Sequence, residues 1–158
     1  MTGTASGIEI RSSGFAVLPA SMSLMGAASG VFVDTGLSLV LPTAGTYHLD
    51  AVVRASLGRM TAGENAFIGA RLVDVTAGAV VPASEAIVVQ IAEYGGTAAT
   101  GLEWNGSTAI SVEYAVASAR TIRLEAVRQD INATGSTDHA GLGSDANART
   151  TLRYHRVA

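Results

Sequence analysis

Residues 35–57 carry the strongest structural signal in this chain. A short apolar run ends at Pro42, and a turn over residues 43–45 leads into a long segment in which apolar and polar side chains alternate. The apolar set of this segment is Tyr47, Leu49, Ala51, Val53, Ala55 and Leu57. Because successive side chains of a β-strand point to opposite faces, this set can pack together on a core. The pattern predicts two consecutive strands of a β-sandwich.

The composition indicates a core built from small and branched side chains. Of the 158 residues, 48% are hydrophobic but only 5% are aromatic, and 15% are charged. Side chains of this kind suit sheets that pack face to face. The charged fraction is below the roughly 25% of ordinary soluble domains, so we expect a partner to cover part of the surface.

Charge and cysteine content argue against several classes of function. The net charge is −3 and the arginines form no basic cluster, which argues against nucleic-acid binding through phosphates. No apolar run approaches the roughly 18 residues of a membrane helix, so we expect no membrane partner. The absence of cysteine excludes disulfides and thiolate metal sites.

Turn residues divide the alternating segments into about eight antiparallel strands, with no convincing helix. Residues 31–158 are predicted to form an all-β jelly-roll sandwich. Residues 1–30 are predicted to form an extended N-terminal arm with one or two short strands, and a poorly ordered terminus is the alternative. Residues 93–107 are predicted to be a long loop or an irregular edge strand, and residues 129–148 a second loop.

The histidines are the residues most open to a chemical role, and they are His48, His139 and His155. His48 and Asp50 lie two residues apart on the less apolar face of their strand. They could form a metal site or a proton relay, and the alternative is a polar face or a subunit contact. His139 near Asp138 and Asp145 fits either a cation site or a polar surface loop, although the alternation of an EF-hand loop is missing. The third histidine is expected at an interface or on the surface.

No catalytic constellation stands out in the sequence. No serine lies in a Gly-x-Ser-x-Gly elbow, and no Gly-rich phosphate loop precedes a helix. We therefore expect neither enzymatic activity nor a cofactor. Trp104, the only tryptophan, is a candidate ligand residue that either stacks on a sugar or packs under its loop.

The order of the motifs resembles a known superfamily. The opening over residues 32–47, with its Pro-Thr-Ala-Gly-Thr-Tyr turn, the long strand and the closing strand over residues 149–157 resemble tumour-necrosis-factor-like and complement-globular-head-like jelly rolls. The resemblance covers residues 31–158 and implies a compact homotrimer around a threefold axis. The residues that it implies at the axis, or in the core beside it, are Tyr47, Leu152 and Tyr154.

Similar domains in phages serve as capsid decoration proteins, head fibres and tail-fibre tips. All ten basic residues are arginine, which is typical of GC-rich coding, and the layout of arm and sandwich is most like a phage head decoration protein. The resemblance implies a structural virion protein at the capsid surface that binds the major capsid protein and stabilises the head. The alternative is a fibre module that recognises host-surface carbohydrate. Because a fibre tip is usually the end of a long protein and this chain starts at Met1, we expect decoration.

Overall fold

The computed structural model describes residues 12–59, 65–92, 102–131 and 137–158. Within these ranges the chain forms β1 (Ser13–Val17), β2 (Met22–Ser23), β3 (Val33–Leu41), β4 (Gly45–Arg59), β5 (Asn65–Asp74), β6 (Ala79–Val80), β7 (Ala86–Ala92), β8 (Leu102–Val116), β9 (Arg120–Asp130), β10 (Thr137–Leu142) and β11 (Thr151–Arg156). The all-β class is confirmed. No helix in the described ranges is long and apolar enough to cross a membrane.

The described strands form two antiparallel sheets that pack face to face. In the six-stranded sheet, β4 pairs with β8 along one edge and with β11 and then β10 along the other. β1 extends this sheet beyond β11, and β2 extends it beyond β10. In the five-stranded sheet, β9 lies between β3 and β5, and the far edge of β5 pairs with both β6 and β7. The predicted β-sandwich is confirmed.

The core between the sheets is lined by the alternating residues that the sequence indicates. All six apolar residues of the β4 pattern are buried. They face the inward side chains of the other sheet, which include Ile68, Leu72, Ile122, Leu124 and Ala126. Burial of this apolar surface is the main source of stability, at about 25 cal/mol for each Å² removed from water.

Tyr47 anchors the turn before β4. Its hydroxyl donates a hydrogen bond to the carbonyl oxygen of Thr43 at 3.0 Å and lies 3.2 Å from Thr43 Oγ1. Its ring packs edge-on against Tyr154, with the ring centroids 5.4 Å apart. A core aromatic residue therefore holds the turn in place, which explains why the turn and the alternating strand occur together in the sequence.

An irregularity interrupts β3 near residues 34–36. The pairing of β3 with β9 shifts register between Asp34 and Ser38. Gly36 has a φ of +77°, a conformation that side chains with a Cβ rarely adopt. The hydroxyl of Thr35 donates to the carbonyl oxygen of Leu124 at 2.8 Å, so a side chain supplies a hydrogen bond where the ladder is interrupted.

Part of the predicted arm is a component of the sandwich. β1 pairs with β11 and β2 pairs with β10, both in the six-stranded sheet. Leu18 and Leu24 are buried in the same core as β4. β1 and β2 are therefore part of the sandwich, and Leu18 and Leu24 beside them help to fill its core. Residues 1–11 lie outside the described residues.

Two segments with loop-like composition contain strands. Residues 102–107 begin β8, which agrees with the edge-strand alternative for that part of residues 93–107, while residues 93–101 lie outside the described residues. β10 lies inside the predicted loop 129–148. Its sequence is poor in β-branched residues, but pairing with the end of β4 holds it extended, so tertiary contact outweighs local preference.

At Gly106, β8 crosses β7 of the other sheet with no space for a side chain. A Cβ at this position would lie 2.7 Å from Val89 Cβ and closer still to the carbonyl oxygen of Val88. Because one of these atoms belongs to the backbone, a side chain would force the strands apart. We expect Gly106→Val to lower the free energy of unfolding by about 3 kcal/mol, measured by urea denaturation.

The matched control is Gly26→Val, since an added Cβ at Gly26 meets no atom within 4 Å. This substitution should change the free energy of unfolding by less than about 0.5 kcal/mol. Equal stability of the two variants would contradict the close crossing at Gly106.

Candidate functional site

The alternation of β4 places a second, polar set of side chains on the outer face of the six-stranded sheet. Cross-strand register puts His48 opposite His155 of β11, and it puts Asp50 opposite both Ser111 of β8 and Arg153 of β11. Side chains directly opposite each other in antiparallel strands have Cβ atoms about 4.5–5.5 Å apart. Polar groups from three strands therefore meet in rows on this face.

His48, Asp50, Ser111 and Arg153 form what we call the polar cluster. Ser111 Oγ donates to Asp50 Oδ1 at 2.7 Å and lies 3.0 Å from His48 Nε2. His48 Nε2 is also 3.3 Å from Asp50 Oδ1. On the other side, Arg153 Nε lies 3.3 Å from Asp50 Oδ2. The structure thus brings the predicted pair of His48 and Asp50 together and adds two residues that only strand register could reveal.

The polar cluster lacks the connectivity of a catalytic triad. In a triad, the histidine contacts the serine through one ring nitrogen and the carboxylate through the other. Here the same atom, His48 Nε2, contacts both partners. The hydroxyl of Ser111 gives its one hydrogen to Asp50, so it accepts a hydrogen bond from His48. The arrangement orders a polar surface and does not activate Ser111 as a nucleophile.

The pKa of Asp50 couples the polar cluster to pH. Partial burial favours a higher pKa, but the hydrogen bond from Ser111 and the charges of His48 and Arg153 outweigh it and lower the pKa below its ordinary value of 3.8. A carboxyl with a lowered pKa stabilises the fold above its unfolded pKa, and this contribution is lost as the pH falls through the folded pKa.

We therefore expect the difference in melting temperature between the native chain and Asp50→Asn to shrink between about pH 5 and about pH 2. Thermal unfolding followed by circular dichroism measures this difference. A difference that stays constant over the whole interval would contradict the stabilising role of the ionised Asp50.

A polar groove of about 660 Å³ lies at the other end of the same face, between β4, β8, β10 and the turn after β10. Its charged and hydrogen-bonding side chains include Arg54, Ser56, Glu103, Asn105, His139 and Asp145. His139 Nε2 lies 2.5 Å from Ser56 Oγ. Asp145 Oδ1 accepts hydrogen bonds from the backbone N–H groups of Asn147 and Ala148. The polar groove offers both donors and acceptors to a polar ligand.

The cation site considered around His139 does not form among the described residues. His139 contacts Ser56, and an oxygen of Asp145 is engaged by its own turn. In the part of the chain that the structure describes, no three histidine or acidic side chains lie close enough together to hold a metal ion.

Trp104 lies outside the polar groove. It is in β8, on the face opposite to that of Glu103 and Asn105, whose side chains line the groove. The side chain is 54% exposed and lies with Leu102 and Ile91 along an apolar recess at the end of β7. A ligand in the polar groove therefore does not stack on Trp104, and the two features are separate surfaces.

The outer face of the five-stranded sheet carries an apolar groove of about 390 Å³. Its large apolar side chains are Phe32, Phe67, Ile87 and Val127. Beside it, Arg71 stacks on Phe32 and forms an ion pair with Glu125 at 2.9 Å. Arg123 pairs with Glu125 and with Asp34, at 2.5 and 3.1 Å. The sequence alone does not reveal this apolar groove, because its residues are far apart in the chain and meet only through sheet pairing.

The three residues implied at a trimer axis, or in the core beside it, lie in the core of the sandwich. Tyr47 and Leu152 are fully buried and Tyr154 is only 7% exposed. None of them presents its side chain to the outer face of the sheet. Any contact between copies of this chain must therefore use the outer faces or the strand edges.

Comparison with known proteins relates the fold to viral particles. A structure of the infectious bursal disease virus Gt strain is similar to this chain with a TM-score of 0.50 and 13% sequence identity. The VP2 subviral particle of the same virus is similar with a TM-score of 0.50 and 10% identity. Each similarity covers 99% of this chain but only 35% of the viral chain. No family model and no curated protein matches the sequence. At these identities, the likeness shows the sandwich fold.

Proposed function

We propose that this chain is a structural protein of a virion, located at the capsid surface and acting through assembly. The observation that carries the proposal is the similarity to the VP2 subviral particle, which covers 99% of this chain. The chain spans 35% of the length of that viral protein, so the similarity concerns only one part of it. Catalysis is not proposed because the polar cluster does not activate its serine.

More specifically, we propose that the chain is a homotrimeric decoration protein that binds the major capsid protein of a phage head. The tumour-necrosis-factor-like order of motifs over residues 31–158 supports it. The apolar groove also supports it, because exposed apolar side chains in a chain that is only 15% charged favour contact with other proteins. A stable contact of this type buries about 1,200–2,000 Å² in total.

Electron microscopy with antibodies against the purified chain tests this function. The antibodies should label the heads of intact particles of the virus that encodes the chain. Particles that lack the gene are the matched control, and they should lose both the label and part of their resistance to heat. Unlabelled heads on wild-type particles would contradict the proposal, and label confined to the tail would favour a fibre module.

The alternative function is recognition of host-surface carbohydrate, and the polar groove is the observation that favours it. Carboxylate, amide, hydroxyl and guanidinium groups line a space of about 660 Å³, which is large enough for a small saccharide. A glycan array with the native chain and Asn105→Ala tests this function. Binding that is lost in Asn105→Ala and kept in Trp104→Ala would place the ligand in the polar groove.

A further inference from the structure

The free edge of β8 is the longest unpaired strand edge in the described part of the chain. β8 has 15 residues and pairs with β4 over its whole length without a register shift. On its other edge, none of the described strands pairs with it. The unpaired N–H and C=O groups of such an edge are a template on which another strand can form hydrogen bonds.

The other edge strands carry features that discourage pairing. β3 and β7 both contain register shifts. β1 has five residues, and β2 and β6 have two each. Proteins protect sheet edges with bulges, short strands, proline and lysine. β8 has a regular register and contains no proline and no basic residue.

The side chains beside the free edge leave room for a second strand. β7 crosses β8 at Gly106, so the accessible stretch of the edge begins at Ser107. The side chains of this stretch on the outer face are Ser107, Ala109, Ser111, Glu113 and Ala115, all of them exposed. On the inner face, Val112 and Tyr114 are only half-buried, so their apolar surface can be covered further. A neighbouring strand would bury small and apolar side chains here.

We propose that residues 107–115 of β8 pair antiparallel with the same residues of a second copy of this chain. A two-fold axis at Ser111 places Glu113 opposite Ala109 and Ile110 opposite Val112. No like charges then meet, and apolar side chains face each other. This self-complementarity favours a second copy as the occupant, because a two-fold axis makes every favourable contact twice. The contact goes beyond the proposed function and does not depend on it.

Disulfide trapping tests the contact directly, because the chain contains no cysteine. Single cysteines are placed in turn at Ser107, Ala109, Ser111, Glu113 and Ala115. The controls are single cysteines at Ser38 and Val40, which are exposed on β3 of the other sheet, away from this edge. The rate of dimer formation under mild oxidation is measured on non-reducing gels.

We expect the rate to peak at Ser111→Cys, roughly tenfold or more above the controls, because only the residue on the axis lies within disulfide distance of its own copy. Ala109→Glu combined with Ser111→Cys should abolish the peak, since it places a second carboxylate directly opposite Glu113 of the other copy. Equal rates at all five edge positions and at the controls would overturn the proposal.

Deletion of residues 1–11 separates this contact from pairing with the N-terminal segment. The peak at Ser111→Cys should persist in the shortened chain, and its loss would overturn pairing between two β8 strands.

The β8 contact and the proposed virion function can also be refuted separately. Labelled virions without β8 cross-linking would refute this contact alone, and cross-linking without labelled virions would refute the proposed function alone.

Discussion

Replacement of Tyr154 by aspartate should unfold the protein instead of separating folded copies from each other. Tyr154 is 7% exposed, and its ring packs edge-on against Tyr47. Loss of a buried aromatic side chain costs about 3–5 kcal/mol, and burial of a carboxylate without a partner adds several more. This sum is comparable with the total stability of a domain, about 5–15 kcal/mol.

Far-UV circular dichroism and urea denaturation of Tyr154→Asp measure this effect. The matched control is Tyr154→Phe, which keeps the ring in the core and should lower the free energy of unfolding by no more than about 1.5 kcal/mol. A Tyr154→Asp protein that stays folded but becomes monomeric would put Tyr154 at the threefold axis and would contradict its place in the core.

Deletion of residues 1–25 is the second change for which we expect a very large effect. It removes β1 and β2 from the six-stranded sheet and takes Leu18 and Leu24 out of the core. Truncation of one buried leucine to alanine costs about 2–5 kcal/mol, so loss of both leucines and two strands should exceed the stability of the sandwich. We expect the shortened chain to show no cooperative thermal transition.

Deletion of residues 1–11 is the matched control, since it leaves both strands and both leucines in place. This shorter deletion should keep the cooperative transition within a few degrees of that of the native chain. A chain without residues 1–25 that melts cooperatively like the native protein would show that the segment is a dispensable arm.

The parts of the fold that the sequence predicts are those with sustained alternation. β4 alternates over many residues between a turn and a glycine, so its core face could be identified from the sequence alone. The same holds for Ile122, Leu124 and Ala126 of β9. The apolar clusters near Leu18 and Leu24 are too short to show a period, and β10 is held extended by its neighbour β4. Their place in the sheet depends on contacts between distant residues.

A candidate surface could be predicted from the sequence only where its residues lie close together on one strand. His48 and Asp50 are two residues apart on β4, so their proximity follows from the period of a strand. Ser111 and Arg153 join them through the registers of β8 and β11, which a single sequence does not reveal. The apolar groove is lined by residues of several strands, so no single segment of the sequence reveals it. The exposure of Trp104 depends on how β7 and β8 meet at one end of the sandwich, which the sequence does not show.

The native mass of the purified chain, measured by light scattering over a range of concentrations, tests most directly whether this protein works by assembly with copies of itself. One chain has a mass of 16.0 kDa. We expect three times that mass, and six times where two trimers pair through β8. A mass of 16.0 kDa at every concentration would contradict the account.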